Sequence, residues 1–313
     1  NKTSESGPIA AIDIGSNSFH LITARINNGA LQPLVADKQI VRLADGLGDD
    51  GNLSEEAIER GLNILRRFAL TIADIPSDSI RVVGTFTLRR AKNAHEFVRR
   101  AREFMPVPLE IISGDEEARL IYQGIAHTTH HDGQRLVVDI GGGSTEFAIG
   151  KSFSVLQLSS QPLGCVVYTK KFFPQGKITK EAFQAAELAT LQRLEVIAGR
   201  FQSTGWSIAF GSSGTIKAIG QYLNATTEEF DGKIKLDLLY EMKAAFIDLG
   251  EIAKLVDVDE SRRAVLPAGL AILIAIFEQL GVEKMQISDA ALREGVLYEL
   301  PDECGINDIR QRT

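Results

Sequence analysis

Two short stretches of this chain repeat the same order of residue types. Residues 12–18 read IDIGSNS and residues 138–144 read VDIGGGS. In each stretch an apolar segment ends with an aspartate, Asp13 or Asp139, and small residues then lead to a serine. Turns of this kind let backbone N–H groups surround a phosphate, because no side chain obstructs the anion. One copy alone would favour an ordinary turn, whereas two copies favour a pair of phosphate-binding loops.

The two aspartates predict a divalent cation. A carboxylate beside a phosphate is repelled unless a cation lies between them, and Mg²⁺ prefers oxygen ligands. Asp13 and Asp139 are therefore expected to hold Mg²⁺, either directly or through water. The first loop also offers side-chain donors in Ser16, Asn17 and Ser18, while the second offers mainly backbone.

A third small-residue stretch, residues 211–215, reads GSSGT and precedes a predicted helix. Amides at the start of a helix attract anions, and Lys217 would follow in the first turn. An ordinary strand-to-helix connection capped by Ser213 explains the stretch equally well. Both interpretations stay open from the sequence alone.

The acidic run Asp115, Glu116 and Glu117 also has two interpretations. Acidic residues in the first turn of a helix complement the helix dipole. One of these carboxylates could instead act as a base for a water molecule. Neighbouring helical residues point about 100° apart, so only one of Glu116 and Glu117 could face a site. Their spacing does not choose between them.

The basic residues matter because the net charge is −7. This charge argues against general nucleic-acid binding, which needs a basic footprint, so an anionic substrate needs a locally basic site. Each basic residue alone is more often a surface cation, although a group of them would attract a polyanion. His20, two residues beyond Ser18, is expected near the site. The candidates near predicted strand ends or loops are Arg42, Arg89, Arg90, Lys217 and Arg293.

The elements around the two loops are predicted to be hairpins within an α/β chain. Apolar strands at 9–14 and 135–139 end at the loops, and strands at 19–24 and 145–149 return from them. Helical patterns alternate with these strands along the chain, which is typical of α/β layering.

A chain of 313 residues exceeds one typical domain, which favours two. The polar segment 127–133 separates the two patterns, so we predict domains at 1–126 and 127–299. Residues 300–313 are expected to pack back on the first domain.

The cysteines and the termini give expectations about the compartment. The two cysteines, Cys165 and Cys304, form no CxxC motif, so the sequence indicates neither a disulfide framework nor a structural zinc site. Residues 1–8 lack the pattern of a secretory signal. The apolar run 264–277 contains Pro267 and is shorter than the roughly 20 residues of a membrane span, so we predict a buried core helix there. We expect a cytoplasmic protein without an integral membrane segment.

Seven longer motifs together resemble one known family, that of the exopolyphosphatases and guanosine pentaphosphate phosphatases. The family belongs to the actin-like ATPase superfamily, and the resemblance runs from about Ile9 to Thr313. It implies a duplicated actin-like (ribonuclease H-like) α/β fold of two domains with the active site in the interdomain cleft. The motifs are AAIDIGSNSFHL, VRLADGLG, VVGTFTLRRA, IISGDEEARLIYQG, VVDIGGGSTEF, AFGSSGTIKA and ISDAALREGVLYEL.

The resemblance also implies roles for single residues. Glu117 matches the catalytic general base of the family, and Arg89 matches an arginine near the substrate. Asp13, Asp139 and Glu146 are the expected metal ligands. The expected phosphate-binding residues, with the lysine found above, are Ser16, Asn17, Ser18, Gly141, Gly142, Gly143, Ser144, Thr145, Gly211, Ser212, Ser213, Gly214, Thr215 and Lys217.

The implied activity is Mg²⁺-dependent release of terminal phosphate from inorganic polyphosphate. The alternative is hydrolysis of the 5′-γ-phosphate of guanosine pentaphosphate; the intact glycine run 141–143 and the LADGLG motif modestly favour polyphosphate. A kinase of the same superfamily and a non-enzymatic actin-like nucleotide sensor rank lower.

The resemblance is compatible with stimulation by a monovalent cation, a homodimer and peripheral membrane association. Longer relatives continue into a helical C-terminal region, whereas this chain stops at Thr313, so the preference for long polyphosphate chains stays open.

Overall fold

The computed structural model describes residues 7–27, 30–256 and 258–300. Its contacts divide the described chain into two compact units, one of residues 7–113 with 292–300 and one of residues 114–291.

The contacts differ from the predicted domains 1–126 and 127–299 at both boundaries. The helix Gly114–Thr128 belongs to the second unit because it packs on the second sheet, and the helix Leu292–Tyr298 belongs to the first because it packs on the strand Ile9–Ile14. Residues 301–313, expected to pack on the first domain, lie outside the described residues.

The first unit is built on a five-stranded sheet in the order β3-β2-β1-β4-β5. Three strands form an antiparallel meander, and the other two continue parallel to the central one. The strands are β1 (Ile9–Ile14), β2 (Ser18–Asn27), β3 (Ala30–Ile40), β4 (Ile80–Gly84) and β5 (Leu109–Ile111). The helices that precede the second unit are α1 (Glu55–Thr71), α2 (Phe86–Arg90) and α3 (Ala94–Ala101).

The second unit is built on a six-stranded sheet in the order β10-β11-β9-β6-β7-β8. Its strands are β6 (Gln134–Ile140), β7 (Thr145–Lys151), β8 (Ser154–Gln161), β9 (Ile208–Ser212), β10 (Lys233–Lys235) and β11 (Lys284–Ile287). Its helices are α4 (Gly114–Thr128), α5 (Cys165–Phe172), α6 (Lys180–Thr204), α7 (Ser213–Thr226), α8 (Leu236–Leu249), α9 (Glu260–Arg263) and α10 (Leu266–Leu280). The chain then returns to the first unit in α11 (Leu292–Tyr298).

The two sheets share one plan. In each, the central strand turns through a small-residue loop into an antiparallel neighbour, and a parallel strand follows on its other side. The register is also shared, because Asp13 pairs with His20 on β2 and Asp139 pairs with Glu146 on β7. The hairpins predicted from the two loops and the duplicated α/β fold that the family resemblance implies are both confirmed.

The apolar run predicted to be a buried helix is α10, which packs against α5, α6 and α8. The residues of α10 are apolar and buried on all sides of the helix from Leu266 to Phe277, as expected of a helix at the centre of a unit. No helix in the described part of the chain is both long and apolar enough to cross a membrane.

Gly199 weakens the long helix α6 without a packing reason. It is exposed in the helix interior, and an added Cβ would meet no atom within 4 Å. Gly199→Ala is therefore expected to raise the free energy of unfolding by about 0.5–1 kcal/mol, measured by denaturant titration.

A matched control for this substitution lies at the end of the same helix. Gly205 has φ +71°, a conformation that disfavours any residue with a Cβ, so Gly205→Ala should destabilise the protein. The same sign of change in both variants would contradict this account of α6.

Candidate active site

The glycine loop of the second unit joins β6 to β7. A hydrogen bond from the Gly141 N–H to the Ser144 carbonyl closes the turn at 2.9 Å. The first amide of α5, that of Cys165, donates to the Gly141 carbonyl at 3.0 Å, and the next amide donates to Gly142 at 2.9 Å. Because a trans peptide points its N–H opposite its C=O, the Gly142 and Gly143 amides point away from α5. The loop thus presents successive donors on one side, as a phosphate nest requires.

The loop of the first unit is closed by the same kind of hydrogen bond, but a different segment bonds to its carbonyls. A hydrogen bond from Gly15 N–H to the Ser18 carbonyl closes this turn at 3.2 Å. Amides of the segment 41–44 hold the carbonyls of Ser16, at 3.0 Å, and of Asn17, at 3.0 and 2.8 Å. The amides of Asn17 and Ser18 therefore point away from this segment.

Two side chains of the first loop, those of Ser16 and Asn17, differ in their hydrogen bonding. Thr87, on α2, donates to the Ser16 hydroxyl at 2.7 Å, a contact that no sequence motif indicated. Asn17 is buried, and its Nδ2 has no hydrogen-bond partner among the residues that the structure describes. A buried donor of this kind is costly unless a ligand satisfies it, which supports Asn17 as a ligand-binding residue.

A row of polar side chains crosses the second sheet at the level of its loop. Asp139 on β6 pairs with Glu146 on β7 and with Ser212 on β9, and Glu146 pairs with Ser160 on β8. Ser212 donates to Asp139 Oδ2, and Ser160 donates to Glu146 Oε1 at 2.8 Å. Glu117, in the first turn of α4, adds a third buried carboxylate. We call Glu117, Asp139 and Glu146 the acidic cluster.

Burial raises the pKa values of Asp139 and Glu146 in the acidic cluster, and neighbouring carboxylates raise that of Glu146 further. Burial raises the pKa of Asp139, opposed by the Ser212 hydrogen bond and then by the charges of Lys217 and Arg262. Burial and then the negative charge of Glu117 raise the pKa of Glu146 well above its usual value, and Asp139 adds to this effect. A bound cation would relieve this repulsion.

The donor set of the acidic cluster suits Mg²⁺ better than a softer metal. Within the described ranges, no three His, Cys, Asp or Glu side chains form a group that could hold a metal ion. Mg²⁺ does not need such a group, because it keeps several waters and binds through one or two carboxylates and substrate phosphates. Asp139 and Glu146 fit that role. Asp13, the third expected ligand, belongs to the first unit.

The orientation of α4 distinguishes two glutamates that the sequence spacing did not. Glu116 forms an ion pair with Arg119 at 2.8 Å, and its side chain is partly exposed. Glu117 is only 8% exposed, and its charge acts on Glu146. Of the two adjacent glutamates, Glu117 is therefore the one whose side chain is turned toward Glu146.

The third predicted loop, residues 211–215, is not a separate loop. β9 runs through Ser212 and α7 begins at Ser213, whose φ of 88° makes the turn between them. Lys217 consequently lies in the second turn of α7 rather than the first, and it pairs with Asp289 at 3.2 Å. Gly211 and Ser212 are weak strand formers, but their pairing with β6 and that of Gly211 with β11 extends the strand through them.

Each unit contains one arginine whose surroundings bear on the candidate site: Arg89 in the first unit and Arg262 in the second. Arg89, an expected catalytic residue on α2, donates to the carbonyl of Ile112 at 2.9 Å. Arg262 is buried against Gly214 in the second unit, and its charge favours ionised Asp139. Sequence reasoning missed Arg262, since its only signal was a pair of arginines just before an apolar helix.

Comparison with known proteins agrees with a phosphate-handling site. The model of the Ppx/GppA phosphatase family matches residues 22–303. The chain belongs to this family. Membership of the Ppx/GppA family indicates a hydrolase of phosphoanhydride bonds.

Solved structures of Ppx/GppA proteins match nearly the whole chain. The Aquifex aeolicus family member is 27% identical, with 98% of each chain covered and a TM-score of 0.78. An exopolyphosphatase from Cytophaga hutchinsonii is 23% identical, with 93% of this chain and 97% of the other covered and a TM-score of 0.83. An exopolyphosphatase-like protein is 24% identical, with coverage of 94% and 97% and a TM-score of 0.85. These matches confirm that the chain has the fold of the Ppx/GppA family.

The raised pKa of Glu146 predicts a stability effect with a defined pH dependence. Well below the usual value of 4.5 the group is protonated in both the folded and unfolded states. As pH rises toward the folded pKa, only the unfolded state loses the proton readily, so stability falls. Glu146→Gln is expected to raise Tm by a few degrees near neutral pH, about 1 kcal/mol in a chain of this size.

The measurement is thermal unfolding with a chelator present, from about pH 4 to about pH 8. The gain should shrink toward the acidic end. The exposed residue Glu251, in the same unit, provides a control, because Glu251→Gln removes a charge without removing a buried one. A gain that is independent of pH, or equal in both variants, would rule out ionisation of Glu146 as its source.

Proposed function

We propose that this Ppx/GppA family member is an exopolyphosphatase that releases the terminal phosphate of inorganic polyphosphate, with Glu117 as general base. The observation that supports this most is the burial of Glu117 against Glu146, in the unit that carries the glycine loop 141–143. A buried carboxylate in the same unit as an anion-binding loop has the chemistry to accept a proton from an attacking water.

The remaining residues would bind and orient the phosphoryl group. Hydrolysis of a phosphoanhydride needs an in-line water, a base and donors for the charge on the phosphoryl oxygens. The amides of Gly142 and Gly143 are such donors in the second unit, and the loop of the first unit offers the same kind of donor in the amides of Asn17 and Ser18. Mg²⁺, when bound by Asp139 and Glu146, supplies positive charge to the phosphate oxygens.

Hydrolysis of the 5′-γ-phosphate of guanosine pentaphosphate is the second candidate. The loops and the acidic cluster would recognise a terminal phosphate and not the group attached behind it, so they serve either substrate. The matching family model covers both kinds of phosphatase.

Release of inorganic phosphate from polyphosphate and from guanosine pentaphosphate, measured in parallel with Mg²⁺ and with a chelator, tests the proposal. We expect faster release from polyphosphate and loss of both activities with the chelator. Faster release from guanosine pentaphosphate would replace the first candidate with the second. Release that is insensitive to the chelator would refute the role of Asp139 and Glu146 as Mg²⁺ ligands.

A further inference from the structure

His20 lies between two hydrogen-bonding partners in the first unit. Its Nε2 is 3.0 Å from Ser18 Oγ, and its Nδ1 is 3.0 Å from Nη1 of Arg293. Ser18 and His20 are two residues apart on β2, so both side chains point to the same face of the sheet. Arg293 comes from α11 and is also tied to Glu294, at 2.8 Å.

The partner at Nδ1 determines where the imidazole proton resides. A guanidinium has donors and no acceptor, so Nδ1 must accept the hydrogen bond from Arg293. The proton of the neutral ring is then on Nε2, which donates to Ser18 Oγ. Because its oxygen accepts this bond, Ser18 directs its own hydroxyl proton elsewhere.

The corresponding serine of the second unit has a different neighbour. Ser144 ends the second loop as Ser18 ends the first, and Glu146 occupies the register position of His20. The imidazole beside Ser18 therefore has no counterpart beside Ser144.

We propose that Arg293, acting through His20, fixes Ser18 as a hydrogen-bond donor to a phosphate oxygen. This inference rests on the proposed function, since it assigns Ser18 to the bound phosphate. Arg293 and His20 are positioning residues for that contact. A phosphate offers acceptors, so a serine that is fixed as a donor suits the anion.

Two substitutions at His20 separate its two hydrogen bonds. The amide nitrogen of Gln can replace Nε2 and still donate to Ser18, while Asn is shorter and reaches only the position of Nδ1. His20→Asn is expected to lower kcat/KM for phosphate release from polyphosphate by about tenfold to a hundredfold, and His20→Gln by much less. Ser18→Ala should add little to the His20→Asn loss, because both remove one contact. Equal losses in Asn and Gln, or additive losses, would overturn the proposal.

Nitrogen NMR of ¹⁵N-histidine-labelled protein tests the proton assignment without substrate. The chain has five histidines, and the His20→Gln spectrum identifies the signals of His20. We expect a protonated Nε2 and an unprotonated Nδ1, a growing Nδ1–H population in Arg293→Met, and its reversal in Arg293→Lys. An Nδ1–H ring in the unsubstituted protein would overturn the inference. The expected tautomer in a protein that releases no phosphate would instead refute the proposed function.

Discussion

Glu117→Gln is expected to lower kcat for phosphate release by about a hundredfold to ten-thousandfold while the fold is retained. Glutamine keeps the shape of the side chain but cannot accept the proton of the attacking water. It also removes the largest charge effect on Glu146, so folding should not suffer. The measurements are single-turnover phosphate release and thermal unfolding of the same preparation.

The adjacent residue provides the matched control. Glu116→Gln removes an equal charge one position away, from a side chain that pairs with Arg119 at the surface. It should leave turnover near that of the unsubstituted protein, because a partly exposed ion pair within one helix contributes little. Near-normal turnover in Glu117→Gln, or equal loss in both variants, would exclude Glu117 as the base.

Gly164→Ala is expected to lower kcat/KM by roughly a hundredfold through the shape of the glycine loop. Gly164 caps α5, and an added Cβ would overlap the backbone of Gly142 and Gly143. Its φ of −120° suits any residue, so the effect is steric and not a matter of backbone strain. The loop must shift, and misplacing a positioning group by about 1 Å costs that much in rate.

Gly199→Ala provides the comparison, because it adds the same methyl group to the same unit where nothing lies within reach. Only Gly164→Ala should impair phosphate release, and circular dichroism should show a folded protein in both. Full activity in Gly164→Ala would mean that the loop tolerates displacement, which would weaken its assignment as a phosphate nest.

The twin hairpins were predictable because their signal is local. An apolar strand, an aspartate and a run of small residues carry the turn within a few positions. The third strand of each meander, β3 and β8, was not predicted. β3 is an exposed edge strand that contains Pro33 and lacks the alternation of a half-buried strand, and β8 is only partly buried. Pairing with a neighbour, rather than propensity, makes them strands.

The support of the loops was less predictable than the loops themselves. Thr87 and Arg262 reach them from segments distant in sequence, and each has an ordinary local context. The same limit applied to Glu116 and Glu117, since two adjacent glutamates differ only in which way the helix turns them. Helix α4 joins the second unit through contacts with β6, β7 and β8, which no pattern within the helix reports.

The register position shared by His20 and Glu146 also bears on the origin of the fold. A symmetric dimer of one ancestral unit would carry the same residue at both positions, because one gene encodes both copies. Fusion of the two copies into one chain removes that constraint, and each position can change alone. One copy of the sheet then carries a basic ring, while the other carries a carboxylate. Internal gene duplication thereby permits a division of labour that an identical pair of subunits could not encode.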